Sequence, residues 1–160
     1  MQAERTQQSL EDALTREVQC TERLLACLEA ERSALTQRDL QTLEKTTQDK
    51  IQHTQLLEQL DQQRQKLVSE LGFATDAEGL RHCFNSLPRA DTLKHLWQQI
   101  LSNIEACQTG NLTNGGILEA GRQHIEDALR ILRGQSATPS LYDPNGDTAA
   151  NLGQRDLGKV

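Results

Sequence analysis

The side chains able to do chemistry are spread thinly along this chain. Its four histidines, His53, His82, His95 and His124, stand far apart. A helical protein can bind paired iron ions through Glu-x-x-His motifs on facing helices, but no Glu here is followed three residues later by a His. His82 adjoins Cys83, yet a zinc site needs a second pair of ligands at comparable spacing, and none follows. Cys20, Cys27, Cys83 and Cys107 form no C-x-x-C pair. Cys20 and Cys27 would stand about 10 Å apart along a helix axis, too far for a disulfide. All four are expected to be small buried or half-buried thiols of a reducing compartment. Gly115-Gly116 is no phosphate loop, because no strand precedes it and no Gly-Lys-Ser/Thr follows. Carboxylates are plentiful, and their spacing places them mainly on solvated helix faces. No nucleophile, base and orienting group converge. The expectation is a binding protein with no catalytic residue, no metal and no cofactor.

Composition narrows the partners. The 17 basic residues are scattered among 23 acidic ones for a net charge of −6. No basic cluster could neutralise several phosphates, so nucleic acid is not expected. No apolar stretch approaches the roughly 20 residues of a membrane span, and no apolar N-terminal run resembles a signal peptide. A cytoplasmic location without membrane insertion is expected, as a monomer with at most weak self-association.

The elements that must position these residues are helices. Phe73, Phe84, Trp97 and Tyr142 are the aromatic residues, and no β-branched or aromatic run reaches strand length. Leu, Gln, Glu, Arg and Ala dominate instead, as in long helices that meet along narrow seams. Leu14, Val18, Thr21, Leu25, Leu28, Arg32 and Leu35 recur in steps of four and three, predicting a first helix over 7–36. Thr36 and Asp39 offer N-caps for a tight turn. The rhythm resumes through Leu43, Thr46, Lys50, His53, Leu57, Leu60, Arg64, Leu67 and Leu71 until Gly72 supplies a C-terminal stop. So short a connection makes helices one and two an antiparallel hairpin. Thr75 and Glu78 read as a capping box for a short helix that Pro88 ends. Asp91 is placed as the cap of a third long helix closing at Gly134.

The seam of that helix reads Leu93, Trp97, Ile100, Ile104, Cys107, Asn111, Asn114, Leu118, Gly121, Ile125, Ala128 and Leu132. Thr113-Asn114-Gly115-Gly116 by itself reads as a turn. A turn should reset the heptad phase, yet the phase is the same on both sides, which favours a continuous helix. On that reading Asn111 and Asn114 are polar core layers, and Asn114→Leu should raise the melting temperature. Doublets such as Leu24-Leu25, Ile100-Leu101 and Ile117-Leu118 widen the seams enough to touch two neighbours. The expected fold is all-α: an elongated antiparallel three-helix bundle with a short extra helix. The third helix outruns the second, so an apolar face around Ile125, Leu129 and Leu132 is a place where a partner could dock. Residues 1–134 form this helical domain. Residues 135–160 lose all periodicity and read as a disordered C-terminal tail centred on Tyr142.

Three features together resemble the FlgN family of flagellar type III export chaperones. The first is the hairpin, with Leu24-Leu25, Leu28-Glu29, Ala34-Leu35, Arg38-Asp39-Leu40 and a closing run from Leu67 to Gly72. The second is Asn111-Leu112-Thr113-Asn114-Gly115-Gly116-Ile117, and the third is Ala128-Leu129, Ile131-Leu132 and Gly134 followed by Tyr142-Asp143 and Gly146. The resemblance implies a cytoplasmic chaperone for the flagellar hook-associated proteins of the hook–filament junction. It implies that Ile125, Leu129 and Leu132 bind the cargo's C-terminal helical segment. It also implies that Tyr142 docks on the cytoplasmic domain of the export gate. From another class, a structural coiled-coil adaptor or scaffold could use the same seams; the polar seam positions Thr21, Arg32, Lys50, His53 and Arg64 weaken a self-contained coiled coil and fit either reading. An obligate dimer in sedimentation would identify that alternative.

Overall fold

A computed structural model describes residues 1–134, and among them the chain is all-helical. Four helices follow one another: α1 (Gln2–Gln37), α2 (Leu40–Glu70), α3 (Ala77–Ser86) and α4 (Ala90–Leu132). The expected tail, 135–160, lies outside the described residues, as does Tyr142. The chain divides into two units, Met1–Glu119 and Ala120–Val160, so α4 contributes to both.

The turns obey local chemistry. Arg38 takes a left-handed conformation at φ 55°, and Asp39 then caps α2 by accepting the Thr42 N–H at 3.1 Å. Thr36 is not a cap: its hydroxyl donates back to the Arg32 carbonyl inside α1. Gly72, at φ 86°, follows the end of α2 as the left-handed stop. The cap of α3 is Asp76, accepting the Gly79 N–H at 2.7 Å, and not Thr75. Gly79 is required there, because a Cβ would stand 2.1 Å from the Ala74 carbonyl oxygen. Asp91 is not a cap either. Helix α4 begins one residue before it, and Asp91 falls in the first turn, where a carboxylate meets the positive helix end.

The core of the first unit gathers Leu10, Leu14 and Val18 of α1, Val68 of α2, Leu80, Cys83 and Phe84 of α3, and Leu93 and Ile100 of α4. Helices α1 and α2 lie antiparallel. Cys20 Sγ donates to the His53 carbonyl, Cys27 Sγ to the Thr46 carbonyl, and Glu17 and Glu31 pair with Arg64 and Lys50. Helix α4 meets α1 through another stripe. Asn103 donates to Thr21 Oγ1, Cys107 Sγ to the Thr21 carbonyl, and Asn114 to the Leu28 carbonyl. The α1 seam read from the sequence thus faces α4 at Thr21 and Leu28. The hairpin contacts run along a neighbouring stripe containing Glu17, Cys20, Cys27 and Glu31. All four thiols are buried and free, and burial pushes each of them above its usual pKa.

Residues 113–116 settle as helix, continuous with the turns on either side. The two seam asparagines part company there. Asn114 is buried, whereas Asn111 is exposed. Of the apolar doublets, Leu101 and Leu118 are also exposed rather than core.

Candidate functional site

Two polar clusters knit the first unit. In one, Arg64 of α2 donates from Nε to Glu17 Oε1 of α1 at 3.0 Å, pairs with Asp61, and places its guanidinium 4.5 Å from the centre of the Trp97 ring of α4. Glu17 is almost wholly buried. Loss of hydration raises its pKa, and the attraction of Arg64 only partly offsets this. In the other, Lys50 Nζ meets Glu31 Oε1 at 2.7 Å, and Asn114 Nδ2 donates to Glu31 Oε2 at 2.8 Å and to the Leu28 carbonyl at 2.9 Å. Arg32 Nε donates to Asn114 Oδ1 at 3.3 Å, so the amide uses both ends. Lys50 also reaches Asn111 Oδ1 at 3.5 Å. These clusters orient α1, α2 and α4 without offering a reactive group, for each buried charge already faces its partner.

Sequence reasoning missed both carboxylates. It put acidic residues on solvated faces, but Glu17 and Glu31 fall in the heptad positions of the second α1 stripe. The available signal was their fourteen-residue separation, two heptads, opposite Arg64 and Lys50, themselves fourteen apart on the α2 seam. Beside the second cluster, between α2 and α4, lies a mainly apolar groove of about 440 Å³ lined by Leu24, Leu28, Ile51, Leu57, Ile104 and Cys107. Among the described residues, no group of three or more His, Cys, Asp or Glu side chains is arranged to hold a metal ion, and no helix is long and apolar enough to cross a membrane.

The expected cargo residues all lie in the α4 portion of the second unit. Ile125 is 64% exposed, Leu129 43% and Leu132 82%. Their steps of four and three place them along one helix face. Charged pairs accompany that segment: Arg122 with Glu126, and Arg130 with Asp127 at 3.6 Å. Such exposed pairs contribute little stability. The remaining expected site residue, Tyr142, lies outside the described residues.

Comparison with known proteins agrees with this architecture. A family model described as FlgN protein matches residues 1–150. The chain is similar to a crystal structure from Pseudomonas aeruginosa described as that of a flagella synthesis protein FlgN. The two are 27% identical with a TM-score of 0.62, over 67% of this chain and 84% of the other. No curated protein matches.

Proposed function

The chain belongs to the FlgN family of flagellar proteins, and on that premise we propose that it is an export chaperone. It binds the C-terminal helical segments of flagellar hook-associated proteins in the cytoplasm and delivers them to the cytoplasmic domain of the flagellar export gate. In this reading residues 1–134 are the chaperone domain, with α1, α2 and α4 as a three-helix bundle, and 135–160 carry the gate-docking Tyr142.

The observation that carries the reading is the joint exposure of Ile125, Leu129 and Leu132 on one face of α4. Burying a side chain of this size contributes roughly 1.5–3 kcal/mol. An amphipathic cargo helix laid against the face would hide all of them, in the manner of a helix in a groove. Tyr142 suits the second contact, because its ring offers a large apolar surface and a hydroxyl with only two rotatable bonds to fix.

Leu129→Asp tests the cargo site. It should abolish binding of the hook-associated C-terminal segments while circular dichroism shows unchanged helicity. Unchanged binding would remove this face from the cargo site. Tyr142→Ala should weaken gate capture and leave cargo affinity alone. A tenfold loss of cargo affinity, about 1.4 kcal/mol, would move the ring into the cargo site instead. Obligate dimerisation in sedimentation would favour the coiled-coil adaptor.

A further inference from the structure

A cleft of about 420 Å³ opens between α3 and α4. Phe84, Trp97 and Leu101 give it an apolar floor, and Arg81 of α3 and Lys94 of α4 are its only charged lining residues. Both are cationic, in a chain whose net charge is −6. Arg81 pairs with Glu78 at 3.7 Å, an exposed contact that solvent screens. Among the described residues, no ion pair engages Lys94. Arg64, which lies against Trp97, is already balanced by Glu17 and Asp61. The lining of the cleft therefore places two cations, one of them without an ion pair, around an apolar surface in a chain of negative net charge.

We infer that this cleft is a docking site for an acidic amphipathic helix of another protein. Its occupant places bulky apolar side chains over Trp97 and Leu101. Carboxylates at the margins of that apolar face meet Arg81 on one wall and Lys94 on the other. The charge pattern selects against basic partners, because a like charge brought to either rim is repelled and desolvated without compensation. The cleft takes side chains from one face of a helix laid across it, and the described residues offer no sheet edge to which an extended strand could add. The site is independent of Ile125, Leu129 and Leu132.

Trp97 is the chain's sole tryptophan, so its emission reports on this cleft directly. The test titrates the full chain with a short synthetic amphipathic helix bearing a Leu face flanked by Glu, and with the same peptide carrying Lys in place of Glu. The acidic peptide should shift Trp97 emission to shorter wavelength and saturate, while the basic one leaves it unchanged. Arg81→Glu combined with Lys94→Glu should weaken the acidic peptide at least tenfold without altering the thermal melt, and added salt should weaken it in the parent chain. Leu129→Asp should leave the titration as it was. The inference is overturned by an absent response at millimolar peptide, by equal response to both peptides, or by indifference to the charge reversal. A concentration-dependent emission shift without peptide, accompanied by dimers in sedimentation, would assign the cleft to a second copy and overturn it equally.

Discussion

Helix α4 carries one heptad rhythm along two stretches with opposite fates. From Leu93 to Cys107 its seam residues Leu93, Ile100 and Cys107 are buried against the other helices of the first unit. At Ile125, Leu129 and Leu132, with the same rhythm and the same residue types, the side chains are exposed. Period and hydrophobicity state that a face wants to be covered. They do not state whether the cover lies in the same chain. What differs is the polar fastening: Asn103 and Asn114 tie the part of α4 within the first unit to α1 at 3.1 and 2.9 Å, whereas the pairs Arg122–Glu126 and Arg130–Asp127 of the second unit are local to the helix.

The fastened region should be where stability resides, and its removal gives the largest expected effect. Arg64→Ala leaves Glu17 buried without its main partner and uncovers the Trp97 ring. Breaking a buried pair from one side costs roughly 3–5 kcal/mol. Chemical denaturation would measure this, and a loss below about 1 kcal/mol would reclassify the pair as a surface contact. The next effect is Asn114→Leu. Read from the sequence, this change promised stability, because an apolar layer would replace a polar one. The geometry reverses the sign: the amide satisfies Glu31 and Arg32, and a Leu would leave a buried carboxylate oxygen short of a donor. A loss of about 1–3 kcal/mol is expected. A raised melting temperature would show that Lys50 alone suffices for Glu31.

A pH titration gives a subtler reading of the same region. Burial raises the folded-state pKa of Glu17, so the folded protein binds this proton more readily than the unfolded chain. The stabilisation linked to Glu17 is therefore fully present below the unfolded carboxyl pKa and is lost as pH rises through the folded value. The melting-temperature difference between the parent chain and Glu17→Gln should move in favour of the parent as pH falls across that window. A difference that is flat, or that moves the other way, would mean that Arg64 outweighs the loss of hydration.

Much of this architecture is legible in the sequence, because helix boundaries are local events. Asp39, Gly72, Pro88 and Gly134 punctuate the chain where they should, and the unbroken phase across Asn114-Gly115 identifies a helix despite strong turn signals. The cap of α3 slips by one residue, from Thr75 to Asp76, because neighbouring positions offer equivalent oxygens, and α4 starts at Ala90, which leaves Asp91 inside its first turn. Glu17 and Glu31 escape because a carboxylate on a helix resembles a solvated one until its cation arrives from another helix. The candidate site is legible as an apolar face at Ile125, Leu129 and Leu132, but its exposure depends on what the rest of the chain fails to cover.

The smallest expected effect sharpens the comparison most. Ile125→Ala removes a side chain of the same type as Ile100→Ala, from the same helix and the same seam. At Ile100, buried in the core, the truncation leaves a cavity and should cost about 2–5 kcal/mol. At Ile125, 64% exposed, there is no cavity to leave, and Ala is the better helix former. The change in stability should stay within roughly 0.5 kcal/mol in either direction. Binding of a hook-associated C-terminal segment should nonetheless weaken, because the area lost belongs to the proposed interface rather than to the fold. Paired denaturation and titration of the two variants separate these quantities. A destabilisation at Ile125 approaching that at Ile100 would mean that this face is covered within the chain itself, and the cargo site would have to be sought elsewhere.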